Sequence, residues 1–484
     1  MSLKQRALSG VRWTTLSFLV RALLHFVQVV TLARLLVPAD FGLVAIVMAI
    51  MAFLQMFSDA GVSSAIIHFQ EISREQFSSL YWLNVAASLG LAFLVASASH
   101  WVATFYGQHA LQPLLMLAAL TLVISSLGQQ IRIVAQKNMR FSELAKVDVA
   151  GSLSSLVTVV TVALLGGGAY SLIAGSMMSA VVITLVVWWK LADGWRPQFR
   201  MRLGEIGEFV KFGGYMVGNN LVNVFNSQVD ILLGGRLLGS HAIGLYSVPK
   251  DLSQNVSDVI NSIVTKVGFP VMAMAQDDVE RLKRIYLRIM RMTASVNFPI
   301  YVAIGFFAPE VVHVALGAKW QAAAPLLRVF AFWALLRSTA NPVGSLLMAR
   351  GRAKLSFQWN AALVVIFPPA LWVGGKFGAV GLASAALATQ LFLFIPAWLF
   401  LVRPLCGAGL IEYLGQMAAP LAISLAAGAV GYACASPFLL AEVRLAAGLT
   451  CGLIAYISLS FWFNKTWFFM MREMLSKLPA GEGG

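Results

Sequence analysis

Long apolar stretches alternate with short polar connections along the whole chain. Most of these stretches hold about 20 residues or more, the length that an α-helix needs to cross ~30 Å of hydrocarbon. The pattern predicts an all-α polytopic membrane protein with about 14 transmembrane helices. The predicted spans are residues 11–36, 41–57, 78–106, 112–131, 144–166, 168–190, 209–237, 243–266, 287–308, 324–348, 357–375, 378–400, 415–435 and 443–463.

Polar side chains recur at helical spacing inside the seventh and eighth predicted spans. They share one face of each helix, with a break at Gly239–Ser240 between the two. The residues on these faces are Asn219, Asn223, Asn226 and Asp230, then Lys250, Gln254, Ser257, Asp258, Asn261 and Thr265. Because polar groups are costly in hydrocarbon, both faces are predicted to turn toward a bundle interior or a water-filled cavity.

The chain also repeats itself in parallel order. Residues 33–36 (ARLL) and 41–43 (FGL) return 202 residues later as 235–238 (GRLL) and 243–245 (IGL). The repeat predicts two homologous six-helix bundles that enter the membrane from the same side. The predicted domains are residues 1–208 (helices 1–6), 209–402 (helices 7–12) and 403–484 (helices 13 and 14 with a tail). Small residues at Ser171, Gly175 and Ser179 predict a close helix contact.

Helix 1, the counterpart of helix 7, carries its own polar face, and helix 10 adds two arginines. These faces predict a cationic, hydrated cavity for a polyanionic substrate, since the guanidinium fork suits phosphate oxygens. The candidate binding residues are Arg21, His25, Gln28, Asn219, Asn223, Asn226, Lys250, Gln254, Asn261, Arg328 and Arg337, and Asp230 is the candidate for ion coupling.

Each assignment has an alternative that concerns packing alone. Arg21 and Lys250 would pair with Asp230 or Asp258, the two arginines of helix 10 would reach an interface, and His25 would be a hydrogen-bonded packing residue. Asp59, followed by Gly61, is predicted to cap or turn the end of helix 2.

Composition and charge support a membrane protein. Of 484 residues, 59% are hydrophobic and 11% are charged, which excludes a soluble protein of this length. The net charge of +15 lies almost entirely on one side of the predicted helices, where the loop after residue 131 holds Arg132 and Lys137. By the positive-inside rule, both termini are cytoplasmic, and the basic residues contact anionic lipid headgroups rather than nucleic acid.

The sequence contains no phosphate-binding loop or hydrolase motif, and its three cysteines lack the spacing of a metal site. We therefore predict neither a cofactor nor a metal site, and we do not expect an enzyme.

Three segments resemble a known family. Residues 32–45 (LARLLVPADFGLVA), 59–67 (DAGVSSAII) and 230–239 (DILLGGRLLG) are similar to polysaccharide-transporter flippases of the lipopolysaccharide and colanic-acid exporter type. These belong to the multidrug/oligosaccharidyl-lipid/polysaccharide (MOP) superfamily. Lipid II flippases of that superfamily place an arginine on helix 2, where this chain has Met48, Met51 and Met56. The resemblance therefore disfavours peptidoglycan precursor as cargo.

The resemblance implies two six-helix bundles with alternating access in the bacterial inner membrane. It also implies a substrate of undecaprenyl-pyrophosphate-linked oligosaccharide for surface polysaccharide biosynthesis, and leaves open whether a polymerase and glycosyltransferases act beside the protein. One alternative is a cation-coupled multidrug exporter of the same superfamily, for which amide-rich, cationic faces are unsuitable. The other is a membrane glycosyltransferase or ligase, which would need larger outward loops.

The charge asymmetry gives a topology prediction. Reporters that are active on one side of the membrane only, fused after Gly107, Arg200 and Gly484, should give a periplasmic signal at Gly107 alone. A periplasmic signal at either of the other two positions would exclude the topology with 14 spans.

Overall fold

The computed structural model describes residues 3–59, 61–69, 72–199, 202, 204, 206–465 and 467, and every element among them is helical. Twelve of the described helices are long and apolar enough to cross a membrane, which confirms an all-helical polytopic membrane protein. The first eight helices are α1 Leu3–Leu35, α2 Pro38–Asp59, α3 Val62–His68, α4 Arg74–Tyr106, α5 Leu111–Lys137, α6 Phe141–Leu164, α7 Ala169–Leu191 and α8 Gly207–Ala273. The others are α9 Val279–Phe306, α10 Ala308–Ala315, α11 Ala324–Ser338, α12 Asn341–Ala349, α13 Ala353–Gly375, α14 Gly378–Ala397, α15 Arg403–Cys406, α16 Leu410–Ala435 and α17 Ala441–Phe463.

Most observed helix ends lie within a few residues of the predicted ones. The larger differences occur where charged residues lie next to the end of a predicted span. Helix α9 begins at Val279 rather than residue 287, because Asp278 accepts a hydrogen bond from the backbone N–H of Arg281 and caps it. Helix α5 continues to Lys137, so Arg132 and Lys137 lie in the helix and the prediction of a loop there is wrong. Hydropathy ends a span at its first charge, whereas a helix continues past it.

The caps at the end of α2 and the start of α4 follow from their sequences. Asp59 Oδ1 accepts hydrogen bonds from the backbone N–H of Ser63 at 3.3 Å and from its hydroxyl at 2.5 Å. These bonds join the end of α2 to the first turn of α3, in agreement with the prediction that Asp59 caps or turns the end of helix 2. Ser73 and Gln76 exchange hydrogen bonds of 3.1 Å in a capping box that starts α4.

The chain forms two compact units. The first comprises Met1–Val248 with Asn360–Leu382, and the second comprises Pro249–Trp359 with Ala383–Gly484. The boundary at residues 248 and 249 falls inside α8.

Helix α8 reverses direction at Gly239, where φ is 79° and ψ is 176°. The hydroxyl of Tyr246 donates to Asp230 Oδ2 at 2.7 Å, although a straight helix would separate residues 16 positions apart by ~24 Å. The break expected at Gly239–Ser240 is therefore observed, and α8 contains two antiparallel arms. Glycine is required here because L side chains rarely adopt this positive φ.

The predicted tenth span, residues 324–348, is two helices rather than one. Helix α11 ends at Ser338 and α12 begins at Asn341. Pro342 has no backbone N–H to donate to the carbonyl oxygen of Ser338, the last residue of α11, which accounts for the break. The prediction of one continuous helix is wrong here. The apolar stretch does not stop at Pro342, because proline is tolerated in the first turn of a new helix, so hydropathy alone does not reveal the break.

In the first unit, α2 and the second arm of α8 touch backbone to backbone. A Cβ added at Gly42 would lie 1.8 Å from the carbonyl oxygen of Ser240, and one at Gly244 would lie 1.7 Å from that of Pro38. Gly244 lies 202 residues after Gly42, and Ser240 lies 202 residues after Pro38. This distance is the offset of the sequence repeat. Equivalent residues thus make the same contact in both directions, as in a two-fold symmetric interface.

Small residues also join α6 to α7. A Cβ added at Gly175 would lie 2.0 Å from Val159 Cγ2, and one at Gly151 would lie 3.0 Å from the hydroxyl of Ser179. The close contact predicted from Ser171, Gly175 and Ser179 is therefore observed, with α6 as its partner.

The second unit is held together by buried hydrogen bonds and another close helix pair. The Tyr456 hydroxyl of α17 donates to the carbonyl oxygen of Ser295 in α9 at 2.5 Å. A Cβ at Gly431 in α16 would lie 2.5 Å from the carbonyl oxygen of Gly448 in α17. Packing between helices in lipid depends on such close approach, since lipid chains are as apolar as the side chains.

The glycine contact predicts that Gly42→Ala lowers the amount of folded protein. The new methyl group would force α2 away from α8, at a cost of ~1–3 kcal/mol or more. Membrane abundance and the thermal unfolding midpoint of the purified protein are the measurements. Gly90→Ala is the matched control, because nothing lies within 4 Å of a Cβ at Gly90 of α4. Equal behaviour of the two variants would contradict the importance of this contact.

Candidate functional site

The polar face of α1 lies against α6 along its first half. The Ser17 hydroxyl donates to the carbonyl oxygen of Ala145 at 3.4 Å. One turn further, Arg21 Nη1 donates to Asp148 Oδ2 at 3.3 Å. The carboxylate beside Arg21 is therefore Asp148, and the expectation of Asp230 or Asp258 as its partner is wrong, because α6 is the helix that packs on this face.

Asp148 is shared between two arginines. Arg132 of α5 donates from Nη2 to Asp148 Oδ1, while Arg21 occupies Oδ2. Side-chain exposure is 15% for Asp148, 31% for Arg132 and 48% for Arg21. Two guanidinium groups against one carboxylate leave the cluster with one net positive charge.

The cluster lies within the apolar length of its helices. Arg21 lies about ten residues into the predicted first span (residues 11–36), and Asp148 is about two turns into α6, so each lies ~10–15 Å from the start of its span. A charge at the centre of such a span costs ~2.5–3.5 kcal/mol on insertion scales, which is an upper limit for these groups because they lie nearer the helix ends. Pairing with Asp148 offsets part of this cost for both arginines.

The arrangement can bind an anion. Arg21 engages Asp148 through one of its five N–H donors, and Arg132 does the same. The remaining donors, with the unmatched charge, suit the paired oxygens of a phosphate or pyrophosphate group. Asp148 holds the two guanidinium groups near each other while no anion is bound.

Other predicted residues of the first unit have different surroundings. Asn226 Nδ2 donates to the carbonyl oxygen of Asn360 at 2.9 Å, which ties α8 to α13. Asp230 is 8% exposed and accepts the Tyr246 bond together with one from the backbone N–H of Ile231 at 2.9 Å. His25 and Asn223 are exposed and Gln28 is half-buried, while the side chains of Asn219 and Asp258 lie outside the described part.

In the second unit, the predicted residues of α8 are buried or half-buried. Lys250 is 4% exposed and Gln254 is half-buried. The carbonyl oxygen of Asn261 accepts from Asn341 Nδ2 at 3.2 Å, beside the helix break before Pro342.

The two arginines of α11 each have a defined contact. Arg328 Nε donates to the carbonyl oxygen of Gly305 at 3.1 Å. The Arg337 guanidinium lies 5.0 Å from the ring centre of Trp333. The backbone bond of Arg328 agrees with a packing role, and both arginines remain predicted binding residues only.

The sequence pattern does not identify Arg132, Asp148 or Tyr246 as site residues. The predicted span ends at residue 131, which places Arg132 in a loop. Asp148 is an isolated carboxylate inside an apolar helix, and such a residue indicates a cationic partner even where the partner is unknown. Nothing in the local pattern marked Tyr246, which meets Asp230 only because the chain reverses at Gly239.

A model of a protein family described as "Polysaccharide biosynthesis protein" matches residues 31–325, more than half of the chain. The chain belongs to this family. Over 434 residues it is 29% identical to the lipopolysaccharide biosynthesis protein WzxC of Escherichia coli (strain K12), covering 90% of this chain and 88% of that protein. This polysaccharide biosynthesis protein is thus a multi-pass bacterial membrane protein of a transporter family, and the recognition made from residues 32–45, 59–67 and 230–239 is confirmed.

Two solved structures share the fold. The lipid II flippase MurJ in an inward closed conformation has a TM-score of 0.74 at 14% identity, covering 94% of this chain and 99% of that one. An inward-facing multidrug resistance MATE family transporter of the MOP superfamily has a TM-score of 0.60 at 13% identity, covering 78% and 94%. These likenesses show that the polysaccharide biosynthesis protein has the fold of MOP transporters.

The charge balance predicts the effect of Asp148→Asn. Without the carboxylate, two guanidinium groups repel each other inside the span, and membrane abundance should fall by an amount equivalent to about 1 kcal/mol. Adding Arg132→Gln to this variant removes the repulsion between the two charges and should restore abundance in part, because Arg21 still lacks a counter-ion. If Asp148→Asn accumulates like the wild type, the carboxylate does not balance the two arginines.

Proposed function

We propose that this transporter flips undecaprenyl-pyrophosphate-linked oligosaccharide repeat units from the cytoplasmic to the periplasmic leaflet of the bacterial inner membrane. The observation that carries the proposal is the cluster of Arg21, Arg132 and Asp148, whose net positive charge lies inside an apolar span. A pyrophosphate group needs such a site to leave water, because an isolated anion is far too costly in hydrocarbon. Membership of a polysaccharide biosynthesis family supports a glycan as the other part of the substrate.

Each predicted residue has a role in this proposal. The pyrophosphate binds Arg21 and Lys250, with Arg132 added from the structure. The amide and imidazole groups hydrogen-bond sugar hydroxyls, and Arg328 and Arg337 contribute positive charge to the same route. The lipid tail stays in the bilayer while the headgroup crosses. The sugar-binding residues are His25, Gln28, Asn219, Asn223, Asn226, Gln254 and Asn261.

The proposed architecture has about 14 transmembrane helices in two homologous six-helix bundles, with two further helices at the C-terminal end. The two arms of α8 count as two spans because the Tyr246–Asp230 bond needs them antiparallel, and α11 with α12 count as one broken span. The reciprocal contact of Gly42 and Gly244 supports a repeat related by a two-fold axis. Transport then follows alternating access, with both termini in the cytoplasm.

The proposed energy source is an ion gradient or the membrane potential. The sequence carries no nucleotide-binding loop, and one charge moved through 100 mV supplies about 2.3 kcal/mol. Asp230 is our candidate for ion coupling, since it is buried and bonded to Tyr246 across the reversal of α8.

The rival function is a cation-coupled multidrug exporter, which shares the fold. A cationic drug would be repelled by the unmatched charge beside Asp148, so the cluster favours an anionic substrate. A glycosyltransferase or ligase that uses the same lipid donor has no described residues to support it.

The cluster predicts that Arg21→Ala abolishes export of the glycan while membrane abundance stays near the wild-type level. Arg132 still balances Asp148 in this variant, so no carboxylate is left unpaired inside the span. Arg21→Lys should restore export only in part, because a point charge cannot reproduce the bidentate fork. Lys250→Ala should likewise reduce export more than abundance. Surface polysaccharide and membrane abundance are measured together.

Arg284→Ala is the control, since among the described residues this arginine bonds only within the first turns of α9, where Nε donates to the carbonyl oxygen of Glu280. It should leave export and abundance unchanged. If Arg21→Ala exports normally, or if its export falls only in proportion to its abundance, Arg21 is a packing residue and the binding assignment fails.

A further inference from the structure

A second polar site lies in the first unit, separate from the arginine cluster. Helices α2, α4 and α5 surround a cavity of about 190 Å³. Its lining includes one carboxylate, Asp59, and the amide side chains of Gln55, Asn84 and Gln129. Leu122 and serine hydroxyls from α2 and α5 complete the lining, and none of the described residues that form it is basic.

Asn84 indicates that this cavity holds a ligand. The residue is 1% exposed, and within the described part of the chain neither its Oδ1 nor its Nδ2 has a hydrogen-bond partner. A buried polar atom without a partner costs ~1–3 kcal/mol, so an amide with both atoms unsatisfied is expensive at the centre of a helix contact. A bound ion with its water would satisfy both atoms. Oδ1 would coordinate the ion, and Nδ2 would donate a hydrogen bond to a water oxygen.

Asp59 supplies the charge. Its Oδ1 accepts two hydrogen bonds from Ser63, and a carboxylate has about four lone-pair positions in all. Gln129 Nε2 donates to the same Ser63 hydroxyl at 3.4 Å, which places α5 beside the carboxylate. Capping α3 therefore leaves part of the carboxylate available to a ligand.

The chemistry of the lining selects the ligand class. One negative charge surrounded by amide and hydroxyl oxygens suits a hard cation with a single positive charge, whereas divalent ions bind in sites richer in carboxylates. A volume of about 190 Å³ has room for an ion with several waters, each taking ~30 Å³ in the liquid. We propose that this cavity binds one monovalent cation, Na⁺ or H₃O⁺, between the carboxylate of Asp59 and the amide oxygen of Asn84.

The cation site itself does not depend on the proposed function. Only its role in ion coupling rests on that function. If the chain is a flippase, this ion is a second candidate for coupling beside the one assigned to Asp230. Cation binding can be measured without any glycan, so failure of the site and failure of the flippase assignment give separate results.

The experiment measures Na⁺ binding to the purified full-length protein. Equilibrium dialysis with ²²Na⁺ at pH 8 and constant ionic strength should show one saturable site, and Na⁺ should raise the thermal unfolding midpoint. Lowering the pH to 6 at fixed Na⁺ separates the two ions: displacement of ²²Na⁺ shows that protons compete for the site, and unchanged binding assigns it to Na⁺. Absence of saturable binding at pH 8, together with a midpoint that does not depend on Na⁺ or on pH, would overturn the proposal.

Four variants locate the site. Asp59→Asn keeps an oxygen for Ser63 and therefore the cap of α3, yet should weaken Na⁺ binding at least ~10-fold, and Asn84→Ala should weaken it as well. Asn84→Asp adds a second carboxylate and should introduce Ca²⁺ binding, a gain that misfolding cannot produce. Asp193→Asn, an exposed carboxylate paired with Arg140, is the matched control and should bind like the wild type.

Asp230→Asn separates this cavity from the other candidate. Binding that survives Asp230→Asn and is lost in Asp59→Asn supports the cavity. Binding that is lost in Asp230→Asn and survives in Asp59→Asn overturns the proposal and moves the ion to α8.

Discussion

The packing of the first unit depends on how closely two backbones can approach inside hydrocarbon. Helices in lipid gain little from burying apolar side chains, so they associate through van der Waals contact and hydrogen bonds at short range. Gly42 and Gly244 permit this close approach, because a Cβ atom at either position would overlap a carbonyl oxygen of the facing helix. The reversal at Gly239 brings the second arm of α8 to this contact, and it also brings Tyr246 to Asp230.

The same environment determines how charges are arranged. A lone arginine two turns into an apolar span is unfavourable, and so is a lone carboxylate. Arg21, Arg132 and Asp148 come from three helices and reduce that cost together, while their unequal numbers preserve a positive charge. The cluster therefore stabilises the contact of α1, α5 and α6 and provides the donors for an anion. These roles are compatible because Arg132 alone suffices to balance the carboxylate.

The sequence predicts the features of this protein that arise from local periodicity. Apolar length locates the spans, Gly239 marks the reversal, Asp59 with Gly61 marks a cap, and the face of Ser171, Gly175 and Ser179 marks a helix contact. It does not predict features that depend on which helices become neighbours. Asp148 lies 127 positions from Arg21, so its role follows only once α6 packs on α1. Pro342 is a local indication of a helix break, but residues 324–348 are continuously apolar and therefore predict a single span.

The shared carboxylate also bears on release. Two guanidinium groups with no counter-ion would hold a pyrophosphate so firmly that it could scarcely leave. In the proposed transport cycle, Asp148 pairs with both arginines whether or not the anion is bound, so they are not left without a counter-ion when it departs. The negative charge of Asp148 also repels the anion, so the net strength of binding is lower than two unpaired arginines would give. A flippase must release its cargo in every cycle, and the permanent carboxylate would lower the cost of that release.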